Sequence, residues 1–168
     1  MADTVVYDCM IFLQAAARQE SPAAACLRAA ESGQVRLAIS ADIVGEIADV
    51  LQRPKIVARF PALTAERVAA FLQALMSLAE VQQSVPALIK FRRDPKDAKY
   101  LDLAVATSAR YLVSRDRDLL DLHTDGSPDA AEVFRHCPGL QILTPEDFLH
   151  TLDQATNSAS SKTKSDGS

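Results

Sequence analysis

The sequence predicts an α/β fold of three layers, α/β/α, with a mainly parallel sheet of four to five strands. Three observations carry this. Short β-branched runs alternate with longer helical stretches along the chain, the pattern of a parallel sheet with helices on both faces. Helix starts are marked by capping residues, three of them followed by Pro: Ser21-Pro22, Asp94-Pro95 and Thr144-Pro145. The chain has 168 residues, 48% hydrophobic and 24% charged, an ordinary globular composition and one domain's worth of core.

Each element follows from local chemistry. TVVYD (4–8) is a β-branched run closed by an acid and reads as a buried strand. MIFLQAAARQ has helical composition. Ser21-Pro22 opens a second helix, PAAACLRAAES, which Gly33 closes. VRLAIS (35–40) is the second strand, and Ser40 can cap the helix ADIVGEIADVLQ, whose apolar stripe is Ile43, Ile47, Val50 and Leu51. Arg53-Pro54 ends it, and KIVARF forms a short piece before Pro61. A long amphipathic helix starts at Thr64 and runs to about Leu78. EVQQSV is a candidate third strand. Asp94-Pro95 opens PKDAKYLDLAVATSA, RYLVS (110–114) is the fourth strand, and LQIL (140–143) is the fifth. Residues 123–132 read as a loop with a short helix at its end. PEDFLHTLDQ is the last helix. These elements make one domain, 1–152, followed by a polar tail, 153–168, rich in Ser, Thr and Lys, expected to be disordered.

Several function classes are excluded. The five glycines build neither a GxGxxG nor a GxxxxGK[ST] loop. Cys9, Cys26 and Cys137 are far apart with no CxxC, and the three histidines form no HExxH, so a zinc site of familiar spacing is not expected. An odd number of unbridged cysteines suits a reducing cytoplasm. No apolar run reaches the roughly 20 residues of a membrane span. The first residues, MADTVVYD, carry acid where a signal peptide carries base.

The net charge of −4 conceals an asymmetry. Residues 1–52 sum to −4, residues 53–119 to +5 and residues 120–168 to −5. The densest basic stretch is KFRRDPKDAK, with Lys90, Arg92, Arg93, Lys96 and Lys99. By spacing alone it reads as a solvated charged loop.

Ligands of open parallel sheets bind beyond the carboxyl ends of the strands. Asp8 ends the first strand, Asp116 and Asp118 follow the fourth, Asp97 lies in the first turn of the preceding helix, and Glu46 lies in the helix after the second. Singly, each has an ordinary explanation: Asp8 as a helix cap, Asp97 as a first-turn acid, Glu46 as a solvated edge residue, Asp116 and Asp118 as turn residues. Converging on one sheet end, they would repel unless a cation sat among them. A carboxylate set without His or Cys suits Mg²⁺ or Mn²⁺.

Asp8 closing the first strand, Glu46 after the second, DPKDAKYLDLA, YLVSRDRDLL and ILTPEDFL together resemble the PIN domain family, over about residues 4–150. The similarity is strongest to its branch of VapC-like toxins of bacterial toxin–antitoxin systems. The resemblance implies a metal-dependent endoribonuclease whose acids are Asp8, Glu46, Asp97 and Asp116, with Asp118 as an accessory acid. It also implies Mg²⁺ or Mn²⁺ as cofactor, RNA as substrate, a cognate antitoxin protein, and in many cases a homodimer. Lys90, Arg92, Arg93, Lys96, Arg115 and Arg117 become candidate guides for the RNA backbone. Phe60, Phe71 and Leu72 are candidate apolar contacts or core. Where the family usually reads Asp-Thr-Asn, this chain reads Asp8-Cys9-Met10. That departure raises the alternative of a PIN scaffold that binds RNA or protein without cleaving. A receiver domain would need an acidic pair at the first strand, and a haloacid-dehalogenase phosphatase would need Asp-x-Asp there; neither pattern is present.

Overall fold

The computed structural model describes residues 2–165. The sheet has five strands, all parallel, in the order β3-β2-β1-β4-β5. They are β1 (Asp3–Tyr7), β2 (Val35–Ser40), β3 (Glu80–Gln82), β4 (Tyr111–Val113) and β5 (Gln141–Leu143). Strand β1 takes the centre because Val5, Val6 and Tyr7 are apolar on both faces and wholly buried. Val5 registers with Leu37 on one side and Tyr111 on the other. From β1 the chain builds outward through β2 and β3, then returns to add β4 and β5 on the other side. That reversal opens a crevice beyond the carboxyl ends of β1 and β4, the place where open α/β sheets bind ligands.

The helices flank this sheet: α1 (Cys9–Ala17), α2 (Pro22–Glu31), α3 (Ala41–Leu51), α4 (Pro54–Arg59), α5 (Ala65–Leu78), α6 (Ala98–Thr107), α7 (Arg117–Leu120), α8 (Pro128–His136) and α9 (Pro145–Ser165). Their starts are capped as the sequence predicts. Ser21, Ser40 and Thr64 accept the backbone N–H of Ala24, Ile43 and Arg67 at 3.1, 3.1 and 3.2 Å. Helix α6 lies across β1, β2 and β4, burying Leu101, Leu103 and Ala104 completely. Tyr7, Phe12, Tyr111 and Phe148 form a tilted and edge-on aromatic cluster. Tyr7 keeps its hydroxyl satisfied by donating to the Cys26 carbonyl at 2.7 Å. Phe60, Phe71 and Leu72 are half-buried and pack against this core. The three cysteines are free and buried. Among the described residues no helix is long and apolar enough to cross a membrane.

Three local features differ from expectation. Residues 95–97 form a 3₁₀ turn ahead of α6. Residues 117–120, read as turn, form α7, whereas the helix expected at the end of the 123–132 loop is present as α8, capped by Ser127. The chain after residue 152, expected to be disordered, continues α9 to Ser165; the last three residues of that tail lie outside the described residues. Residues 153–160 are exposed, so the core does not hold them. The helix is already nucleated by its buried first turns, and propagation needs only one backbone bond per added residue. Thr156 adds a hydroxyl bond to the Leu152 carbonyl at 3.0 Å.

A strap connects the sheet edge to the crevice. After β3 the chain runs to Pro95 without regular secondary structure, and two buried carboxylates hold it. Asp102 Oδ1, on α6, accepts the N–H groups of Leu88 and Ile89 at 2.9 and 2.8 Å. Asp129 Oδ2, at the start of α8, accepts the N–H of Arg92 at 2.7 Å. This anchoring sets where Asp94 and Asp97 emerge. Asp102→Ala would leave the buried Ile89 N–H without its acceptor and the Leu88 N–H to water, at a cost of about 1–3 kcal/mol. The expected result is a lower urea midpoint with an unchanged slope; an unchanged midpoint would show that the strap is held by other contacts.

Candidate metal centre

Four of the sequence-predicted acids meet beyond the carboxyl ends of β1 and β4. Asp8, Glu46, Asp97 and Asp116 line one open pocket of about 540 Å³, together with Asp94, Lys96, Arg115 and Met10. Asp8 follows β1, is buried, and caps α1 by accepting the Ile11 N–H through Oδ1 at 3.1 Å. Its Oδ2 accepts the hydroxyl of Ser114, which is itself fully buried at the end of β4. The same Ser114 oxygen accepts the Asp116 N–H at 2.9 Å. One hydroxyl therefore fixes the acid after β1 and the backbone of the acid after β4. Burial is the larger influence on Asp8 and raises its pKa; the Ser114 and backbone hydrogen bonds work against that rise.

The closest grouping of acids is Asp94, Asp97 and Asp116, each offering one carboxylate oxygen within 4.8 Å of the others. Asp97 pKa is raised to about 8, first by burial and then by the adjacent Asp116, with smaller contributions from Asp94 and Asp8. As a carboxylate, its buried Oδ2 has no hydrogen-bond partner. Asp94 was not singled out from the sequence except as a cap, and it does cap, with Oδ1 accepting the Lys96 N–H at 3.1 Å. The signal that it does more was the three-residue spacing to Asp97. Asp97 N–H donates to the Asp94 carbonyl at 3.0 Å, and the tight turn so closed brings the two acids together.

Glu46 enters from α3 and is already partnered. Lys99 forms an ion pair with its Oε2, and the Tyr100 hydroxyl donates to Oε1 at 2.7 Å. The Tyr100 oxygen in turn accepts the Cys9 N–H at 3.0 Å. The loop after Asp8 is thus supported by Tyr100 from α6. The Cys9 side chain turns into the core, where burial pushes its thiol up to about 11, and Met10 is left about half exposed at the pocket mouth. Asp118 stands apart from the group. Its carboxylate pairs with Arg93 at 2.8 Å.

A family model described as PIN domain matches residues 4–118. The chain belongs to the PIN domain family. The crystal structure of PAE2754 from Pyrobaculum aerophilum is similar in fold, with a TM-score of 0.50 and 19% sequence identity over 91% of this chain and 90% of that one. No curated protein matches the chain. PIN domains are generally nucleases that use divalent metals, and the family match takes in all five acids of the pocket.

The donor set of this PIN domain fits such an ion. It is all oxygen, which hard cations prefer, and it contains a buried carboxylate oxygen without a partner beside two further acids. Ser114→Ala should test the support behind it. Loss of the shared hydroxyl should weaken Mn²⁺ binding by about 10–100-fold in a calorimetric titration, because outer partners orient the ligands. Unchanged affinity would mean that Asp8 and Asp116 are held without Ser114.

The basic residues of the PIN domain are distributed differently from the sequence expectation. Arg92 pairs with Asp129. Arg93 reaches Asp118, Asp121 and Asp125 at 2.8, 3.2 and 4.0 Å. Arg115 pairs with Glu146 at 2.7 Å. Lys90, Lys96 and Arg117 are exposed and form no ion pair among the described residues. Of the six, only Lys96 and Arg115 line the pocket.

Proposed function

We propose that this PIN domain is a Mg²⁺- or Mn²⁺-dependent endoribonuclease that hydrolyses RNA phosphodiester bonds, and that it acts in the cytoplasm as the toxin of a toxin–antitoxin pair. The observation that carries the nuclease reading is the grouping of Asp97 with Asp94 and Asp116, in which the buried Asp97 Oδ2, once ionised, has no hydrogen-bond partner among the described residues. In this reading Asp97, Asp116 and Asp8 hold the ion, with Asp94 beside them. A divalent cation supplies, when bound, an activated water near neutral pH and neutralisation of charge on the phosphate oxygens. The protein's share is orientation. Ser114 sets Asp8 and Asp116, and the 3₁₀ turn sets Asp94 and Asp97. Lys99 already neutralises Glu46, so Glu46 serves here by fixing Tyr100 and the loop after Asp8. A single-stranded or looped RNA is the fitting substrate, because its backbone can bend into an open pocket.

The toxin role rests on the resemblance in ILTPEDFL and DPKDAKYLDLA, and implies a cognate antitoxin. The alternative of a non-cleaving scaffold draws on Cys9-Met10. Against it, Tyr100 supports the loop that those residues would otherwise have to support. The test is incubation of the purified chain with a single-stranded RNA in Mn²⁺, in Mg²⁺ and in EDTA. Endonucleolytic products in the metal arms alone support the nuclease. Tight RNA binding with no products after long incubation in Mn²⁺ supports the scaffold.

A further inference from the structure

The flanks of the carboxylate pocket differ in usable charge. On the strap side, Arg92 and Arg93 face four acids between them: Asp129, Asp118, Asp121 and Asp125. The two arginines there are offset by acids, which leaves Lys90 and Lys96 as the unpaired cations of that side among the described residues. The flank formed by α1 and α4 is the reverse. From Met10 and Arg53, which line the pocket itself, the surface continues into two adjoining hollows of about 530 and 520 Å³. Their floor is apolar, built from Met10, Leu13, Ile56 and Phe60. Their rims carry Arg18, Arg53, Lys55, Arg59 and Arg115, and no carboxylate lines either hollow.

Three of these cations are uncommitted to acids. Arg53 and Arg115 share exposed pairs with Asp49 and Glu146, which water screens. Lys55, Arg18 and Arg59 form no ion pair among the described residues. The guanidinium carbons of Arg18 and Arg59 lie 5.9 and 5.4 Å from the centroid of the Phe60 ring, so two flat cations gather at one aromatic side chain. Met10 is common to the pocket and both hollows, so all three are continuous at one exposed side chain.

We propose that this trough carries the flanking nucleotides of a single RNA strand whose scissile phosphate sits in the carboxylate pocket. The inference rests on the nuclease reading and adds the path of the substrate. Phosphates face Arg18, Lys55 and Arg59, and base faces lie on the Met10–Ile56–Phe60 floor. A single strand fits because its bases are free to stack on apolar and guanidinium surfaces, whereas a duplex keeps its base faces buried. The binding is largely tolerant of sequence, since every base has a face to stack; the one side-chain amide that lines the hollow with Phe60 and Ile56 is Gln14, whose Oε1 already accepts from Arg115 Nε at 3.2 Å. An acidic peptide would meet the same cations, but it has no reason to run on into a cluster of carboxylates. A phosphodiester strand does, once a cation occupies that cluster.

The test uses full-length protein carrying Asp97→Asn to suppress cleavage, with Mn²⁺ present, and a fluorescein-labelled 15-nucleotide oligouridylate followed by anisotropy across a salt series. Lys55→Glu with Arg59→Glu, both exposed positions, should weaken binding more than tenfold at low salt. It should also reduce the slope of log affinity against log salt by about 1.4, for two lost phosphate contacts on a single strand. Met10→Ser should weaken binding severalfold with the slope unchanged, because it removes floor and not charge. Far-ultraviolet circular dichroism and the melting temperature should match the parent in both. An unchanged affinity and slope in the double variant, with loss of binding instead in Lys90→Glu/Lys96→Glu, would overturn the path. So would a glutamate-rich peptide of equal charge that binds the parent more tightly than the RNA and is released by the same double variant. Cleavage by the wild-type chain is scored separately: cleavage with an unaffected double variant fails the path alone, whereas no cleavage and no RNA binding fails the nuclease reading too.

Discussion

Asp97→Asn is expected to lower cleavage of single-stranded RNA by at least two orders of magnitude in Mn²⁺. The substitution preserves volume, so the 3₁₀ turn and the cap by Asp94 should persist. It removes the charge that Asp97 would carry toward a bound cation, on the acid whose ionised Oδ2 has no partner among the described residues. Losing a single preorganised electrostatic contact at a reacting phosphate or carbonyl typically costs about 10²–10³ in rate. Here the same group also orients the hydrolytic chemistry, so the two losses coincide. The measurement is product formation under long incubation, wild type against variant, prepared in parallel. Equal residual cleavage in both would identify a contaminant and sink the assignment. The same pair of proteins tests the toxin role: induced expression of wild type in a bacterium should arrest growth, and Asp97→Asn should not.

The second large effect is a coupling of stability, pH and metal. Asp97 holds its proton in the folded chain up to about pH 8, against an ordinary value of 3.8. Between those values the metal-free folded state binds a proton that the unfolded state has released, so stability falls as pH rises from about 4 to about 8. Asp8 is shifted in the same direction by burial and adds to the fall. Partial exposure of Asp97 to water makes the loss smaller than a dry site would show. A divalent cation needs the ionised acids and so reverses the trend. At about 100 times its dissociation constant it adds roughly 2.7 kcal/mol, or on the order of 5–10 °C in melting temperature for a chain of this size. We expect that gain with Mg²⁺ at pH 8 and much less of it at pH 5. Since the chain has no Trp, far-ultraviolet circular dichroism is the suitable probe. Asp97→Asn should flatten the metal-free pH dependence and remove most of the Mg²⁺ gain. A gain that is larger at pH 5 would exclude these acids as the ligands.

The elements themselves were readable in the residues because each is decided within a few positions. Ser21-Pro22, Ser40 and Thr64 announce helix starts, and each hydroxyl makes the capping bond in the structure. VRLAIS is the second strand as expected, since a largely apolar run has to be covered on both faces, and every residue of it but Arg36 is buried. The placement of acids at strand ends was legible for the same reason: Asp8 follows directly on an apolar run, and Asp116 comes two residues beyond one, after Ser114 and Arg115. What the local pattern could not determine is which strand ends are neighbours. The order β3-β2-β1-β4-β5 puts residue 8 beside residue 114, and the Ser114 hydroxyl then joins two acids more than a hundred positions apart in sequence. Tertiary packing also decided the cations. KFRRDPKDAK is strongly basic as a string, yet Asp129, Asp118, Asp121 and Asp125 come from later segments and meet Arg92 and Arg93 there. Besides Lys90, Lys96 and Arg117, the cations without an acid partner include Arg18 just after α1 and Lys55 and Arg59 on α4, where the sequence looked unremarkable. Asp94 joins the pocket through the tight turn it closes with Asp97, and α9 runs on beyond its buried first turns. Capping and periodicity act over three or four residues and are written in the sequence; charge pairing acts over a few ångströms, and those distances exist only after the strands have chosen their neighbours.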